Sequence, residues 1–240
     1  MHQIYLFLIM AINLTDARKK HHLYQCIAAA NVAKYVAEEY TCALGLQASY
    51  SHKPDRVFDN EEWHLNHSIA VEKSIEYLKT NFPGILIFDN ESVKIKQRIG
   101  KATLFGIPDI IAVNNSKLYV VDGKSGRAKG YHRYQASLYA LMLLKQNVAS
   151  EIGEVFLGYY DPKLKINNFN MVSLGGHSEI QDIWSVDAKK KIVNLANAIV
   201  SDQELEAKPT ATNCQWCGWK NRCSVSYQES EELLDVFAGF

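Results

Sequence analysis

Two short motifs stand out in the sequence of this chain: Gly106-Ile107-Pro108-Asp109 and, after twelve intervening residues, Asp122-Gly123-Lys124. Runs rich in β-branched and aromatic residues surround the two motifs and predict strands at Thr103–Val113 and Lys117–Lys124. Asn114-Asn115-Ser116 separates the runs and is typical of a tight hairpin turn. The sequence around the motifs therefore predicts two neighbouring strands that carry charged side chains.

The register of this hairpin decides which charged side chains meet. Side chains in a strand alternate between faces, so Asp122 and Lys124 project to the same side. If the loop is the two-residue turn Asn115-Ser116, residues whose numbers sum to 231 face each other, and Asp109 then lies opposite Asp122. A three-residue loop would place Asp109 on the other face, and a bulge would be needed to restore the pairing.

Two carboxylates at such positions indicate a site for a divalent cation. Directly paired residues have Cβ atoms about 4.5–5.5 Å apart, where two negative charges repel unless a cation lies between them. Mg²⁺ or Mn²⁺ prefers carboxylates, waters and phosphate oxygens, and it can stabilise a phosphodiester displacement. We expect Asp109 and Asp122 to be its ligands and Lys124 to position the attacking water. An isolated Asp-x-Lys occurs often on solvated strands, so the surrounding sequence decides whether it indicates a metal site.

That context is an α/β chain in which a mixed β-sheet is flanked by helices. Apolar residues at helical spacing or in β-branched runs predict the remaining elements. The predicted helices are Leu23–Ala43, Trp63–Lys79, Tyr131–Gln146 and Ser178–Leu205, and the other predicted strands are Val93–Ile99, Glu154–Tyr160 and Lys165–Leu174.

Three of the five cysteines form a cluster near the C-terminus with the spacing of metal ligands. Cys214, Cys217 and Cys223 are separated by two and five residues, so their thiolates can turn toward one centre. Thiolates select zinc or an iron–sulfur cluster, which usually needs four ligands, so the fourth must come from Cys42 or Cys26. The odd number of cysteines is unlike a disulfide scaffold and favours a cytoplasmic protein.

Composition excludes several other classes of protein. Twenty-six basic residues balance 26 acidic ones, so DNA must be bound by a local positive patch. No apolar run reaches the roughly 18 residues that a membrane span requires. The apolar run Ile4–Ile12 lacks the basic leader of a signal peptide. We predict one domain over residues 1–240, in which 206–240 is the cysteine segment and 1–9 is a buried strand, a disordered segment or an extension upstream of the true start.

These motifs resemble those of the PD-(D/E)xK nucleases, and within them the RecB-like branch. Gly-Ile-Pro-Asp109 is similar to the second motif of the family, Asp122-Gly-Lys124 to the third, and Gln135-x-x-x-Tyr139 to the helix motif that marks the branch. The resemblance implies the restriction-endonuclease-like core and the catalytic residues Asp109, Asp122, Lys124, Gln135 and Tyr139. It also implies a histidine ligand for the divalent metal, for which His67 is the first candidate and His64 the alternative.

The cysteines resemble the four-cysteine iron–sulfur clamp of the CRISPR-associated exonucleases of that branch, the fourth Cas protein family. The resemblance implies a [4Fe-4S] cluster held by Cys42, Cys214, Cys217 and Cys223, with zinc as the less favoured occupant. Cys42 is preferred to Cys26 because it ends a predicted helix and lies nearer the histidine in sequence. Its successors Ala43-Leu44-Gly45 depart from the Pro and basic residue that the family has there.

The resemblance implies a single-stranded DNA exonuclease of the cytoplasm that trims spacer precursors alongside the CRISPR integrase proteins. The alternatives are a nuclease of phage or host recombination, repair or restriction, and a non-catalytic nucleic-acid-binding module with a structural metal. Basic residues near the motifs are expected to bind DNA phosphates, with Tyr131 and Tyr134 stacking on bases. These basic residues are Arg127, Lys129, Arg133 and His132.

Overall fold

A computed structural model describes residues 26–51, 60–89, 93–201, 204–215 and 217–224. The elements in chain order are β1 (Cys26–Ala28), α1 (Ala29–Val36), α2 (Ala43–Ser51), α3 (Glu61–Asn81), β2 (Leu86–Asp89), β3 (Ile95–Ile99), β4 (Ala102–Gly106), β5 (Ile110–Asn114), β6 (Lys117–Ser125), α4 (Gly130–Lys145), β7 (Glu151–Tyr160), β8 (Phe169–Gly175), α5 (His177–Ile183), α6 (Val186–Ile199), α7 (Ala211–Gln215) and a 3₁₀ turn (Lys220–Arg222).

The strands form two sheets. One has the order β1-β4-β3, and the other has the order β2-β5-β6-β7-β8. The pairs β1–β4 and β6–β7 are parallel, and the other neighbouring strands are antiparallel. The prediction of a mixed sheet flanked by helices is confirmed.

The register of the β5–β6 hairpin is the one that the two-residue turn predicts. Every pair from Ile110–Val121 to Asn114–Lys117 sums to 231. Asn115 and Ser116 both have positive φ, 48° and 62°, as a type I′ turn requires. This turn matches the natural twist of the two strands, and it fixes which side chains share a face.

Helices α3 and α4 cover opposite faces of the five-stranded sheet. Leu78 of α3 packs in a cluster with Ile110, Ala112, Val121 and Phe156. The alternate residues of the same strands, such as Ile111 and Val120, join the larger core with the apolar side chains of α4. Asp122 and Lys124 have the parity of Val120, so β6 directs them to the α4 side.

Two sequence-based boundaries are wrong. The helix predicted at Leu23–Ala43 is a short strand followed by α1, which ends because Glu38 takes a positive φ of 61°; residues 23–25 lie outside the described part. Cys42 therefore precedes α2 instead of ending a helix. The strand predicted at Thr103–Val113 is interrupted at residues 107–109, since Pro108 has no N–H to donate to a sheet.

Two further elements differ from the prediction. The helix expected at Ser178–Leu205 is divided into α5 and α6, because the Ser185 hydroxyl accepts a hydrogen bond from Ala188 N–H (3.3 Å) and caps a new helix. β2 was not predicted, because it is a four-residue edge strand. Residues 1–9 and the end of the 206–240 segment lie outside the described ranges. Among the described helices, none is long and apolar enough to cross a lipid bilayer.

Candidate active site

The third motif places a carboxylate and an amine side by side on β6. Asp122 is 2% exposed, and its Oδ2 lies 2.7 Å from Nζ of Lys124. This contact is an ion pair without directed hydrogen-bond geometry at Oδ2. The alternation of the strand brings the two side chains together, as the sequence predicts.

Asp109 lies directly before β5 and reaches both β6 and α3. Its Oδ2 accepts a hydrogen bond from Gly123 N–H at 2.7 Å and lies 3.1 Å from Nε2 of His67. A Cβ at position 123 would lie 3.0 Å from Val71 of α3 and 3.4 Å from Oδ2 of Asp109. Glycine at position 123 therefore allows the helix and the carboxylate to approach the strand closely.

The structure distinguishes the two candidate histidines. His67 is half-buried beside Asp109, and this hydrogen bond raises its pKa while burial opposes the rise. His64 lies one turn earlier in an exposed position. The indole of Trp63 stacks on the His67 ring, with centroids 5.0 Å apart and planes 21° apart, and meets His64 edge-on. The geometry thus favours His67 as the histidine of the site.

Gln135 and Tyr139 of α4 extend the site from the other face of the sheet. Gln135 Oε1 accepts a hydrogen bond from Lys124 Nζ at 3.4 Å, and its Nε2 donates to the Tyr139 hydroxyl at 3.0 Å. Both side chains are buried, and burial raises the pKa of Tyr139. The tyrosine thus remains a neutral phenol. The chain Lys124–Gln135–Tyr139 fixes the direction of the ammonium group.

The electrostatics of Asp122 suit a cation. Burial raises its pKa to about 7, Lys124 lowers it, and the Asp109 carboxylate raises it. A buried carboxylate with this shift gains when a divalent ion offsets its charge. Two carboxylates and an imidazole are donors that Mg²⁺ or Mn²⁺ accepts, so the residues fit such an ion. Within the described ranges, however, no group of three or more His, Cys, Asp and Glu side chains converges closely enough to hold a metal.

The four cysteines of the expected clamp line one cavity of about 260 Å³. The cavity lies between the start of α2, which follows Cys42, and the segment that carries Cys214, Cys217 and Cys223. Tyr40 closes one side, and its hydroxyl makes a hydrogen bond with Cys217. Cys26 does not line this cavity, because it lies in β1 paired with Thr103. Among the described residues, the thiols surround a space and do not converge as a metal site.

Hydrogen bonds join residues 41–47 to residues 205–213 around this cavity. Leu44 N–H donates to the Glu206 carbonyl at 3.3 Å, and Gln47 Oε1 accepts from Leu205 N–H at 2.9 Å. The Asn213 side chain donates to Thr41 Oγ1 at 3.4 Å. These hydrogen bonds dock residues 205–213, which include Cys214's neighbour Asn213, on residues 41–47.

The residues expected to bind DNA fall into two groups. Arg127, Lys129 and Arg133 are exposed around the start of α4. His132, in contrast, is 4% exposed, and its pKa is lowered to about 3 by burial and then by three nearby lysines. The prediction that His132 binds phosphate is wrong, because the ring is buried and neutral. Tyr134 packs edge-on against Trp184, so its ring serves the core.

Three residues near the site have no role predicted from the sequence. Trp63 carried a signal, because it precedes His67 by four residues and so shares a helix face with it. Gly123 lies inside the quoted motif, but the need for a glycine there arises only from the approach of α3. No sequence pattern around Lys34 indicates a role, since nothing in the sequence relates α1 to the β5–β6 hairpin.

Buried carboxylates beside a lysine at the end of a mixed sheet are typical of a nuclease site. The chain belongs to the PD-(D/E)XK nuclease superfamily, because a sequence profile of that family matches residues 15–224. No curated protein matches the chain at a significant level.

Solved structures show distant likenesses. The crystal structure of SSO0001 is 16% identical, with 95% of this chain and 98% of that chain covered and a TM-score of 0.49. An alkaline exonuclease (LHK-Exo) from Laribacter hongkongensis is 10% identical, with 74% and 89% covered and a TM-score of 0.45. Its complex with dAMP is 9% identical, with 74% and 88% covered and a TM-score of 0.45.

Proposed function

We propose that this protein is a divalent-metal-dependent DNA nuclease that degrades single-stranded DNA from an end. The observation that carries the proposal is the group of Asp109, Asp122 and Lys124 around the end of the β5–β6 hairpin. A binding module would have no use for buried negative charge next to DNA, whereas a phosphodiesterase uses it to hold its metal.

The roles of the residues follow from their contacts. Asp109, Asp122 and His67 would hold Mg²⁺ or Mn²⁺, which activates water and stabilises the charge that develops on the phosphate. Lys124 orients the water and offsets charge on the phosphate. Gln135 accepts from Lys124, and Tyr139 fixes the Gln135 amide, so both are positioning residues. Arg127, Lys129 and Arg133 would contact the DNA backbone.

The test is degradation of end-labelled single-stranded DNA by protein purified without oxygen, in the presence of Mn²⁺. We expect cleavage by the wild type and at least about a hundredfold loss in folded Asp122→Ala and Lys124→Ala, the size of effect typical of transition-state groups. Asp182→Ala, an exposed carboxylate on α5, is the matched control and should retain full activity. A circular strand should resist if the enzyme starts at an end.

Two other results would overturn the proposal. Parent activity that persists in both variants would place the chemistry elsewhere. Retained DNA binding without cleavage, under any divalent metal, would favour the non-catalytic binding module.

The cysteine cavity supports a second part of the proposal. Cys42, Cys214, Cys217 and Cys223 supply four thiols around one space, which is the number of ligands that a [4Fe-4S] cluster or a zinc ion requires. We favour the cluster because of the resemblance to the CRISPR-associated exonucleases. Iron, sulfide and zinc contents of anaerobically purified protein decide between the two, and a protein with neither metal contradicts both.

The same resemblance supports a cytoplasmic role in spacer acquisition together with the CRISPR integrase proteins; the alternative is phage or host recombination or repair. In the first role, trimming of overhangs to a fixed length should require the integrase. Processive degradation that ignores the integrase would favour the alternative.

A further inference from the structure

A group of lysines lies beside the active site at the start of α4. The Lys34 ammonium, on the last turn of α1, lies 5.1 Å from the centroid of the Tyr131 ring. The Lys129 ammonium lies 5.9 Å from the same ring. One aromatic ring thus receives two cations from separate parts of the chain, an arrangement in which each cation is attracted to the ring face.

The two lysines form a local excess of positive charge. Among the described residues, neither ammonium takes part in an ion pair. The pKa of Lys34 is lowered first by burial and then by Lys129 and Lys124, while the Glu39 carboxylate offsets this least. The Lys124 ammonium thus adds to the positive charge that acts on Lys34.

The backbone adds to this positive potential. α4 is a 16-residue helix whose N-terminus carries the positive end of the helix dipole. Its first turn contains no acidic residue, so no side chain of α4 offsets this positive potential. The nearest carboxylate is that of Glu39, which accepts a hydrogen bond from Tyr131 N–H at 2.9 Å. The buried neutral ring of His132 lies beneath, hydrogen-bonded to Tyr159 at 3.0 Å. It thus supports the surface without adding charge.

We propose that Lys34 and Lys129, above the Tyr131 ring, form a binding subsite for a phosphate group of the DNA strand, and that Lys34 is a DNA-binding residue. The proposal rests on the proposed nuclease function, since its ligand is the substrate of that site. The Lys34 ammonium is half-buried and forms no ion pair among the described residues, so it has less hydration to lose on binding a phosphate than an exposed ammonium. Tyr131 lies one turn before Gln135 on α4, and Gln135 accepts a hydrogen bond from Lys124, so the subsite and the active site share this helix.

The experiment measures the affinity of single-stranded DNA in EDTA, where a metal-dependent enzyme does not cleave, as a function of salt concentration. Each phosphate contact contributes about 0.7 to the slope of log affinity against log salt. We expect Lys34→Gln and Lys129→Gln each to reduce the slope by about 0.7, which corresponds to about fivefold weaker binding at 0.1 M salt. Lys34→Arg should restore both values, because it keeps the charge.

Lys190→Gln is the matched control, since Lys190 is exposed on α6 and should leave slope and affinity unchanged. Lys34 could instead serve α1 alone, by stabilising the negative end of the helix. In that case Lys34→Gln would lower the melting temperature but keep the salt slope. Lys129→Gln keeps the proposal testable if Lys34→Gln fails to fold.

A comparison of DNA substrates shows whether the subsite binds a terminal or a backbone phosphate. If only strands with a 5′-phosphate lose affinity in Lys34→Gln, the subsite takes a terminal phosphate; if circular strands lose it too, the subsite takes a backbone phosphate. Wild-type slope and affinity in both glutamine variants would overturn the subsite while leaving the nuclease intact. A wild type that neither binds nor cleaves DNA would instead overturn the proposed function.

Discussion

The carboxylate site and the cysteine-lined cavity are built in opposite ways. Asp109, Asp122 and Lys124 lie within 15 positions of one another and are placed by two paired strands. Cys42 and Cys214 are 172 positions apart, and they line one cavity where two short segments distant in sequence dock. The first site is held by a sheet, and the second by a few hydrogen bonds between distant segments.

This difference implies different consequences of damage. A residue of the carboxylate site is surrounded by a core that persists without it, so its loss should affect chemistry more than folding. A ligand of the cysteine cavity closes a long loop, so its loss should affect folding and reach the chemistry only indirectly. Two experiments test this contrast, and two further ones measure smaller effects in the packing around the carboxylate site.

The largest effect is expected at Asp122. Asp122→Asn should reduce DNA cleavage at least about a hundredfold, because it removes the anionic ligand of the metal. The melting temperature at pH 8 should stay within about 4 °C of the wild type, which corresponds to roughly 1 kcal/mol for a chain of this size. The measurements are cleavage rates and thermal unfolding by circular dichroism. A large loss of stability would remove the contrast between the two regions.

The next effect is expected at Cys214. Cys214→Ser and Cys42→Ser should lose the bound metal and lower the melting temperature by about 10 °C or more, since a link that closes such a long loop is worth roughly 5 kcal/mol. Metal content and thermal unfolding are measured on the same samples. Cys26→Ser is the control and should keep its metal, because Cys26 lies in β1 outside the cavity. If Cys26→Ser lost the metal and Cys42→Ser kept it, the fourth ligand would be Cys26.

A smaller effect is expected where β4 meets α4. A Cβ at Gly106 would lie 2.3 Å from Cε1 of Tyr139. Gly106→Ala should therefore displace the tyrosine and destabilise the protein by about 1–3 kcal/mol, with a fall in activity through Gln135. Urea unfolding measures the change. The double variant Gly106→Ala/Tyr139→Ala is the check, because removal of the ring should remove most of the added cost, and simple additivity would argue against the clash.

The smallest effect concerns the pH dependence of folding at His132. Its pKa is lowered to about 3 in the folded chain and is about 6.5 in an unfolded one, so the unfolded state binds more protons between these values. Stability therefore falls as pH decreases from about 6.5 toward 3. His132→Asn should reduce the slope of unfolding free energy by up to about 1.4 kcal/mol per pH unit in this window.

Urea unfolding between pH 4 and 6.5 measures that slope. His177→Asn is the control for the loss of an imidazole, since His177 is exposed at the start of α5. An unchanged slope in the His132 variant would mean that the ring accepts a proton in the folded protein.

The hairpin and the charged pair on it follow from the local sequence alone. Asn115-Ser116 sets a two-residue turn, the turn sets the register, and strand alternation then puts Asp122 beside Lys124. Each step depends only on neighbours in sequence, so it follows from local backbone sterics. The mixed sheet and the helix that carries Gln135 and Tyr139 were predictable for the same reason.

Which distant residues join that hairpin depends on how the helices pack on the sheet. His67 lies beside Asp109 because α3 packs on one face of the sheet, and Lys34 lies over the Tyr131 ring because α1 ends beside α4. The choice of Cys42 over Cys26 as a neighbour of Cys214 likewise depends on how residues 41–47 dock on residues 205–213. These proximities are set by packing between segments far apart in sequence, and no local pattern carries that information.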